Sequence, residues 1–175
     1  MWAVTVDTAP GTGYSPRMAT AQNLSEKTRQ YGELLAASQA LLAGEDDLVA
    51  NMSNLTALVF QTLPDLNGVF FYRWLDGELI VGPFQGRVAC VHIAAGRGVC
   101  GRVADTRRPE VVPNVLEFPG HIACDERSRS EVVVPVLTPA GDFFGVLDVD
   151  SPVLDRFDDV DAKCLQRLGS LIFSR

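Results

Sequence analysis

Three stretches of the chain repeat apolar residues at intervals of three or four. The first begins near Asn23 and ends at Gly44, the second ends at Pro64, and the third begins near Asp158. Their apolar positions are Tyr31, Leu34, Leu35, Leu41 and Leu42, then Leu48, Met52, Leu55, Val59 and Leu63, then Val160, Cys164, Leu168, Leu171 and Ile172. This spacing predicts three amphipathic helices, each with one face on a core.

Between these helices, runs of apolar residues and runs that alternate apolar with polar residues predict strands. They cover Val69–Trp74, Glu78–Phe84, Val88–Ile93, Glu110–Val112, Glu131–Leu137 and Asp142–Asp150. The turn residues Asp76-Gly77 and Pro139-Ala-Gly141 join two pairs of these strands as hairpins. A short helix is expected over Gly98–Thr106. The order predicts an α+β domain with a mainly antiparallel sheet and the terminal helices packed on one face.

Two segments lack a regular pattern. Residues 1–20 are rich in Thr, Pro, Gly and Ser and predict a disordered N-terminal tail, so the folded domain is expected over residues 21–175. Residues 113–130 form a long irregular segment inside the domain. Loops of this length in compact domains usually carry function or are disordered.

Composition and charge exclude several classes of protein. With 175 residues, 22 acidic and 15 basic, the chain suits one domain with a net charge of −7. That charge argues against binding to nucleic acid or to an anionic membrane. No apolar run approaches the roughly 20 residues of a membrane helix, and the start lacks the features of a secretory signal. We therefore expect a cytoplasmic protein whose cysteines are reduced.

Three of the four cysteines fall on predicted regular elements. Cys164 lies on the helical stripe between Val160 and Leu168, as expected of a packed core thiol. Cys90 lies on a predicted strand, where cysteines usually serve packing. Cys100 follows glycines at an exposed helix start, where the positive end of the helix would stabilise a thiolate. Reactive and structural interpretations both remain open for Cys100.

Cys124 lies in the irregular segment, where a cysteine does not fill a core. His121, Arg127 and Arg129 would favour its thiolate, while the acidic pair at 125–126 would oppose it. Local charge therefore leaves its reactivity open. The chain has no Cys-x-x-Cys pair and no close Cys/His pair of the zinc-knuckle type, so no metal site is expected.

Acidic residues converge at one end of the predicted sheet. Phe144, Val146, Asp148 and Asp150 should share one strand face, and hairpin pairing would bring Glu131 beside the acidic end. Such carboxylates could hold an ammonium group, and one with a raised pKa could act as a general acid. The alternative is a sheet face that emerges into solvent.

Several motifs together resemble the free methionine-R-sulfoxide reductases, which are single GAF-domain enzymes. The resemblance runs from about Tyr31 to Ile172 and indicates a GAF domain fold. The motifs are Gly82-Pro-Phe-Gln-Gly86, Ala89-Cys90, Gly96-Arg-Gly-Val-Cys-Gly101, Phe118-Pro-Gly-His-Ile-Ala-Cys-Asp125, Ser130-Glu131 and Gly145-Val-Leu-Asp-Val-Asp-Ser151.

The resemblance implies reduction of free methionine-R-sulfoxide to methionine. Cys124 would attack the sulfoxide and become a sulfenic acid, and Cys90 would resolve it as a disulfide. Cys100 would be an alternative or relay thiol, and which of the two acts first is open. Thioredoxin would reduce the disulfide, with NADPH supplying thioredoxin reductase and no cofactor bound to this chain. A homodimer is also possible in this family.

The resemblance further implies that Glu131, Asp148 and Asp150 bind the substrate amino group and assist protonation of the sulfoxide oxygen. The sequence departs from the family at one point. The family commonly has Asn-Trp where this chain has Asn67-Gly68, so the apolar wall of the pocket would come from Phe70, Tyr72 or Trp74.

Two other functions are compatible with a GAF domain: a non-catalytic sensor of a small ligand, and a thiol-based redox sensor. A ligand sensor has no need of three cysteines in these loops. A redox sensor has no need of an acidic cluster that suits an ammonium group.

Overall fold

The computed structural model describes residues 21–122 and 124–174, so the predicted tail at 1–20 lies outside the described residues. The helices are α1 (Ala21–Leu42), α2 (Leu48–Thr62), α3 (Gly98–Thr106) and α4 (Asp159–Ser170). The strands are β1 (Gly68–Leu75), β2 (Glu78–Gly86), β3 (His92–Ala94), β4 (Glu110–Val112), β5 (Ser130–Leu137) and β6 (Phe143–Ser151). Short 3₁₀ turns cover Val115–Glu117 and Leu171–Phe173.

Aspartate side chains fix where two of the helices begin. Asp47 accepts a hydrogen bond from the backbone N–H of Ala50 (2.8 Å) and caps α2. Asp158 and Asp161 form a reciprocal capping box at the start of α4. The Tyr31 hydroxyl of α1 donates to Asp161 (2.8 Å), which joins the two terminal helices. None of the described helices has the length and hydropathy to cross a membrane.

The six strands form one antiparallel sheet in the order β3-β2-β1-β6-β5-β4. Asp76 and Gly77 both have positive φ, 51° and 89°, and join β1 to β2 in the predicted two-residue turn. The sheet confirms the predicted α+β architecture and its antiparallel pairing.

Side chains alternate between two sheet faces that bury different layers. The face that carries Phe71, Val134 and Leu147 packs against α1, α2 and α4, as predicted for the terminal helices. The opposite face, with Tyr72 and Val133, packs against α3 and the residues that follow β4. This second layer is thin and irregular, and it contains the candidate site.

The third strand is shorter than predicted. Residues 87–91 form a loop, and β3 begins at His92. Val88 is 82% exposed and Val91 is 54% exposed, so neither valine of the predicted strand is buried by the sheet. The prediction that Cys90 lies on a strand is therefore wrong.

The predicted face of Phe144 is also wrong. The pairing of β5 with β6 is irregular at this point, since Val136 faces Gly145 and Leu137 faces Phe143. The irregularity interrupts the alternation, and Phe144 packs against Phe173 on the helical side (ring centroids 5.2 Å apart). Beyond it, regular alternation places the acidic residues of β6 on the opposite face.

Candidate active site

A small pocket lies over the second face of the sheet, between the start of α3 and the irregular segment at 113–129. Its lining combines aromatic and aliphatic side chains with acidic groups and two cysteine sulfurs. Among its lining residues are Phe70, Tyr72, Val99, Cys100, His121, Ile122, Cys124, Glu131, Asp148 and Asp150. The predicted candidate residues thus meet in one place, with Cys90 attached through Cys124.

Cys124 and Cys90 are joined by a disulfide bond. They are 34 residues apart in the chain, and their Cα atoms are 5.6 Å apart. Cys124 lines the pocket, while Cys90 approaches it from the loop between β2 and β3. The packing role expected for Cys90 is therefore wrong, because its sulfur is bonded to that of Cys124.

Three carboxyl groups are buried together at the base of the pocket. Glu131 on β5 faces Asp150 on β6, and Asp148 lies two residues before Asp150 on the same face. Their side chains belong to residues only 5%, 7% and 6% exposed, so the alternative of a solvent-facing sheet end is wrong. One oxygen of Asp148, Oδ1, has no hydrogen-bond partner among the described residues.

Burial makes these carboxyl groups hard to ionise. It raises the pKa of Asp148 to about 7, against the partial opposition of hydrogen bonds from Cys100 and Glu131. Burial, together with the charge of Asp148, also raises the pKa of Glu131 and of Asp150. A cation in the pocket would offset this cost of ionisation. The cluster is therefore suited to holding a cation and to supplying a proton.

Cys100 belongs to the same cluster. Its thiol donates to Asp148 Oδ2 (Sγ–Oδ2 3.3 Å) and lies 4.0 Å from Glu131 Oε1. Donor atoms of these three side chains lie within 4.8 Å of one another, close enough to share one cation. Burial and the adjacent carboxylates raise the thiol pKa well above its ordinary value. The expected exposed helix start with a stabilised thiolate is wrong, because the first turn of α3 is buried against the sheet.

The charged neighbours of Cys124 in sequence contact other groups. Arg127 forms an ion pair with Asp125 (2.9 Å), and its hydrogen bonds hold the pKa of that carboxyl well below the usual range. Arg129 donates to the backbone carbonyls of Glu126 and Ser128. Asp125 is thus paired with Arg127, while Arg129 is held at the backbone of the same segment.

A hydrogen-bond network that sequence reasoning missed connects this segment to the sheet. The side-chain amide of Asn67 donates to Asp125 Oδ2 (3.0 Å) and to Ser128 Oγ (2.9 Å), and its backbone N–H donates to the carbonyl of Asp150 (3.0 Å). Ser128 in turn hydrogen-bonds the Asp150 carboxyl. The sequence signal for Asn67 was its place in the family's Asn-Trp motif, of which this chain keeps the Asn.

His121 lies across the pocket from α3. Its Nε2 is 3.8 Å from Glu131 Oε2, and its side chain is 14% exposed. Burial lowers the pKa of the imidazole below its ordinary value, which favours the neutral form at neutral pH. His121 therefore adds a polar group to the acidic end without adding a permanent charge.

Aromatic side chains form an apolar wall of the pocket. Phe70 and Tyr72 line the pocket, whereas Trp74 packs on Phe143 (5.7 Å between ring centroids) and lies outside this lining. Burial and the nearby carboxylates raise the pKa of Tyr72, so its hydroxyl stays protonated. Of the three aromatic residues expected to rebuild the wall, two are present in it.

Cys164 is remote from this chemistry. It lies on α4, half-buried against the core on the helical side of the sheet, as its helical stripe predicted. The sheet separates it from the pocket.

Comparison with known proteins agrees with this arrangement. The GAF domain model matches residues 21–172. The free methionine-R-sulfoxide reductase of Escherichia coli is 43% identical over 142 residues, which cover 81% of this chain and 86% of that protein. The Saccharomyces cerevisiae protein of the same name is 41% identical over 147 residues, or 80% of this chain and 82% of that protein.

A solved structure gives the same result in three dimensions. The X-ray structure of the Neisseria meningitidis free methionine-R-sulfoxide reductase in complex with its substrate superposes with a TM-score of 0.77. It is 40% identical to this chain and covers 81% of it, and the match spans 85% of that structure. The chain therefore belongs to the GAF domain family and, within it, to the free methionine-R-sulfoxide reductases.

Proposed function

We propose that this protein reduces free methionine-R-sulfoxide to methionine, with Cys124 as nucleophile and Cys90 as resolving thiol. The observation that carries the proposal is the pocket itself, which has the Cys90–Cys124 disulfide on one side and buried carboxyl groups at its base. The relatives named for this activity, at more than 40% identity, support it.

The carboxyl groups explain why the substrate would be a free amino acid. A nearby cation would offset the cost of ionising the buried carboxyl groups of Glu131, Asp148 and Asp150. The ammonium group of a free amino acid supplies that charge and several N–H donors. A methionine inside a polypeptide has a neutral amide nitrogen and a chain on both sides, so it satisfies neither the charge nor the space of this pocket.

The first step transfers oxygen from the substrate to the enzyme. The Cys124 sulfur attacks the sulfoxide sulfur and forms a transient bond to it. The oxygen then transfers from the substrate sulfur to the Cys124 sulfur as that S–S bond breaks, so methionine departs and Cys124 is left as a sulfenic acid. The substrate gains two electrons and the thiol loses two. A proton on the sulfoxide oxygen weakens its bond to sulfur, and a carboxyl with a pKa near 7, as Asp148 has, can supply it.

The second and third steps restore the thiols. The Cys90 thiol attacks the sulfenic sulfur, water leaves, and the disulfide seen in this structure results. A dithiol such as that of thioredoxin then exchanges with this disulfide and regenerates both thiols, with electrons drawn from NADPH through thioredoxin reductase. Such recycling requires a reducing compartment, in keeping with a cytoplasmic location.

The disulfide favours Cys90 over Cys100 as the first resolving thiol. Cys90 is bonded to Cys124, whereas the Cys100 thiol is free and hydrogen-bonded to Asp148. Cys100 remains available for the relay role, in which it would exchange with the disulfide after it has formed.

The test is NADPH consumption by the protein with thioredoxin and thioredoxin reductase when free methionine-R-sulfoxide is added. We expect turnover with the R epimer and little with the S epimer. Cys124→Ser should abolish methionine formation even in a single turnover, because no sulfur remains to accept the oxygen. Cys164→Ser, on the far side of the sheet, is the matched control and should keep the wild-type rate.

A second variant tests the resolving role. Cys90→Ser should release one equivalent of methionine at the normal rate and then recycle slowly, because the sulfenic acid on Cys124 has no thiol at position 90 to condense with. Full steady-state activity in Cys90→Ser would show that another thiol resolves. A folded wild-type protein that binds the sulfoxide but never reduces it would instead favour a sensor.

A further inference from the structure

A glycine lies directly against Phe70, one of the aromatic residues that line the pocket. Gly68 opens β1 immediately after Asn67, and a Cβ built on it would overlap the ring of Phe70. The Phe70 ring thus folds back along its own strand and lies over the bare Cα of Gly68. Any residue other than glycine at position 68 would push this ring from its place.

The ring is fixed by its neighbours. It stacks on Phe84 of the adjacent strand, with centroids 5.4 Å apart and planes at 26°, and is 6.4 Å from the ring of Tyr72. Phe70 is only 4% exposed, yet it lines the pocket. It therefore forms a rigid, well-packed boundary of the pocket.

The sheet also fixes the distance of this boundary from the acidic end. Phe70 pairs with Asp148 across the β1–β6 ladder, and Gly68 pairs with Asp150. The carboxylates that would bind a ligand's ammonium group and the ring of Phe70 are therefore held at a fixed separation by the strand pairing. A ligand bound through its ammonium group has only that fixed space for its other end, so the ring limits the size of that end.

We propose that Phe70, seated over Gly68, determines which sulfur substituent the pocket accepts and admits S-methyl while excluding larger alkyl groups. This inference rests on the proposed function, which places the amino group on the carboxylates and the sulfur beside Cys124. With the amino group and the sulfur of the substrate both held, the S-alkyl group is directed onto the apolar lining. Phe70 is the aromatic member of that lining that pairs with Asp148 across the β1–β6 ladder.

The consequence is a measurable preference between two substrates that differ by one methylene. In a tight apolar pocket one methylene changes kcat/KM by about 10- to 200-fold. The wild-type protein should prefer methionine-R-sulfoxide over ethionine-R-sulfoxide by a factor in this range. Phe70→Leu, which removes part of the wall, should reduce that preference at least tenfold, mainly by improving kcat/KM for the ethyl compound.

Gly68 provides an independent arm. Gly68→Ala should lower kcat/KM for methionine-R-sulfoxide at least tenfold, because the new Cβ drives the Phe70 ring into the pocket. Added to Phe70→Leu, the Gly68→Ala change should lower kcat/KM for methionine-R-sulfoxide much less, because the ring that it would displace is no longer there. Strong non-additivity of the two changes is the signature of this contact and is not expected from two independent losses of stability.

The experiment measures kcat/KM for both sulfoxides with dithiothreitol as reductant, on variants shown to be folded by circular dichroism. Trp74→Leu is the matched control, since Trp74 is an aromatic residue of the same strand that packs on Phe143 outside the pocket. It should leave the substrate preference unchanged. A Phe70→Leu preference within twofold of wild type, or an equal shift in Trp74→Leu, would overturn the proposal.

A binding measurement separates this proposal from the proposed function. The thermal stabilisation of the oxidised protein by each sulfoxide reports the size preference without any turnover. If the protein reduces neither sulfoxide but Phe70→Leu still changes their relative binding, the size limit stands and the reaction fails. If both are reduced and Phe70→Leu changes neither readout, the reaction stands and the size limit is wrong.

Discussion

At the scale of single residues, the cysteines show that surroundings decide the chemistry of a thiol. Cys100 lies in the first turn of α3, a position that usually lowers a thiol pKa through the positive end of the helix. In this fold it is buried against Asp148 and Glu131, and these groups raise its pKa instead. Desolvation and adjacent carboxylates outweigh the partial charge of a nine-residue helix.

This environment predicts low reactivity for Cys100. When the oxidised protein is treated with iodoacetamide at pH 7.5 and mapped by mass spectrometry, Cys100 should remain unmodified, because it is buried and protonated. Cys164, which is half-buried on α4, should react faster. Unfolding in urea should make both thiols react alike, which serves as the control. Rapid alkylation of Cys100 in the folded protein would contradict the structure of the cluster.

At the scale of elements, the irregular segment that carries Cys124 is held on the sheet by a few hydrogen bonds. Asn67 donates to Asp125 and Ser128 on either side of a turn, and each such bond contributes about 1 kcal/mol. These bonds attach the residues that follow Cys124 to the start of β1, while the disulfide to Cys90 holds Cys124 itself. The segment thus depends on a residue from the start of β1 for its functional position.

Loss of this attachment should slow chemistry more than it harms folding. Asn67→Ala should reduce the single-turnover rate of methionine formation about tenfold, since reactive geometry tolerates little displacement. The melting temperature should fall by only a few degrees, as for the loss of about 1–2 kcal/mol. Asn114→Ala is the control, because Asn114 bonds Leu116 and Glu117 within the same segment outside the pocket. Equal slowing in both variants would indicate general loosening of the segment.

At the scale of the whole molecule, the buried carboxyl groups make stability depend on pH. The folded protein holds protons on Glu131, Asp148 and Asp150 to higher pH than the unfolded chain does, because each pKa is raised. The contribution of these groups to the free energy of unfolding is most favourable below about pH 4, where they are protonated in both the folded and the unfolded chain. It is lost as the pH rises toward 7, because the unfolded chain then releases protons that the folded protein still holds. The pH dependence contributed by Asp125 has the opposite sign. Hydrogen bonds from Arg127 lower the pKa of this carboxyl, so it stabilises the folded protein at neutral pH and that contribution is lost only in acid.

A neutral replacement should therefore stabilise the protein at the expense of activity. Asp148→Asn should raise the free energy of unfolding at pH 8 by about 1–3 kcal/mol and flatten its decline between about pH 4 and 8. It should also weaken sulfoxide binding, because one carboxylate for the ammonium group is gone. Urea unfolding across this pH range, with the exposed Asp142→Asn as control, measures the effect. Lower stability of Asp148→Asn at pH 8 would contradict the raised pKa.

The sequence by itself determined the elements of this protein and the identity of its reactive groups. Helices, strands and the Asp76-Gly77 turn were predictable because periodicity and turn conformation depend on residues close together in the chain. The pairing of Glu131 with the acidic end of β6 followed from a hairpin, which is also a local structure. The resemblance of the motifs then named the family that the comparisons support.

Only the tertiary structure decided how those groups act on one another. Local sequence alone favours packing for Cys90 and leaves Cys100 open, since neither sequence position reveals what lies across the sheet; the pairing of Cys90 with Cys124 was implied only by the family resemblance. The bond of Cys90 to Cys124 joins residues 34 apart, and the bonds of Asn67 to the same segment span 58 and 61 residues. Burial, and with it each pKa, is a property of packed layers. The sequence shows which reactive groups are present. Their ionisation and the groups that they contact depend on which residues the folded chain places beside them.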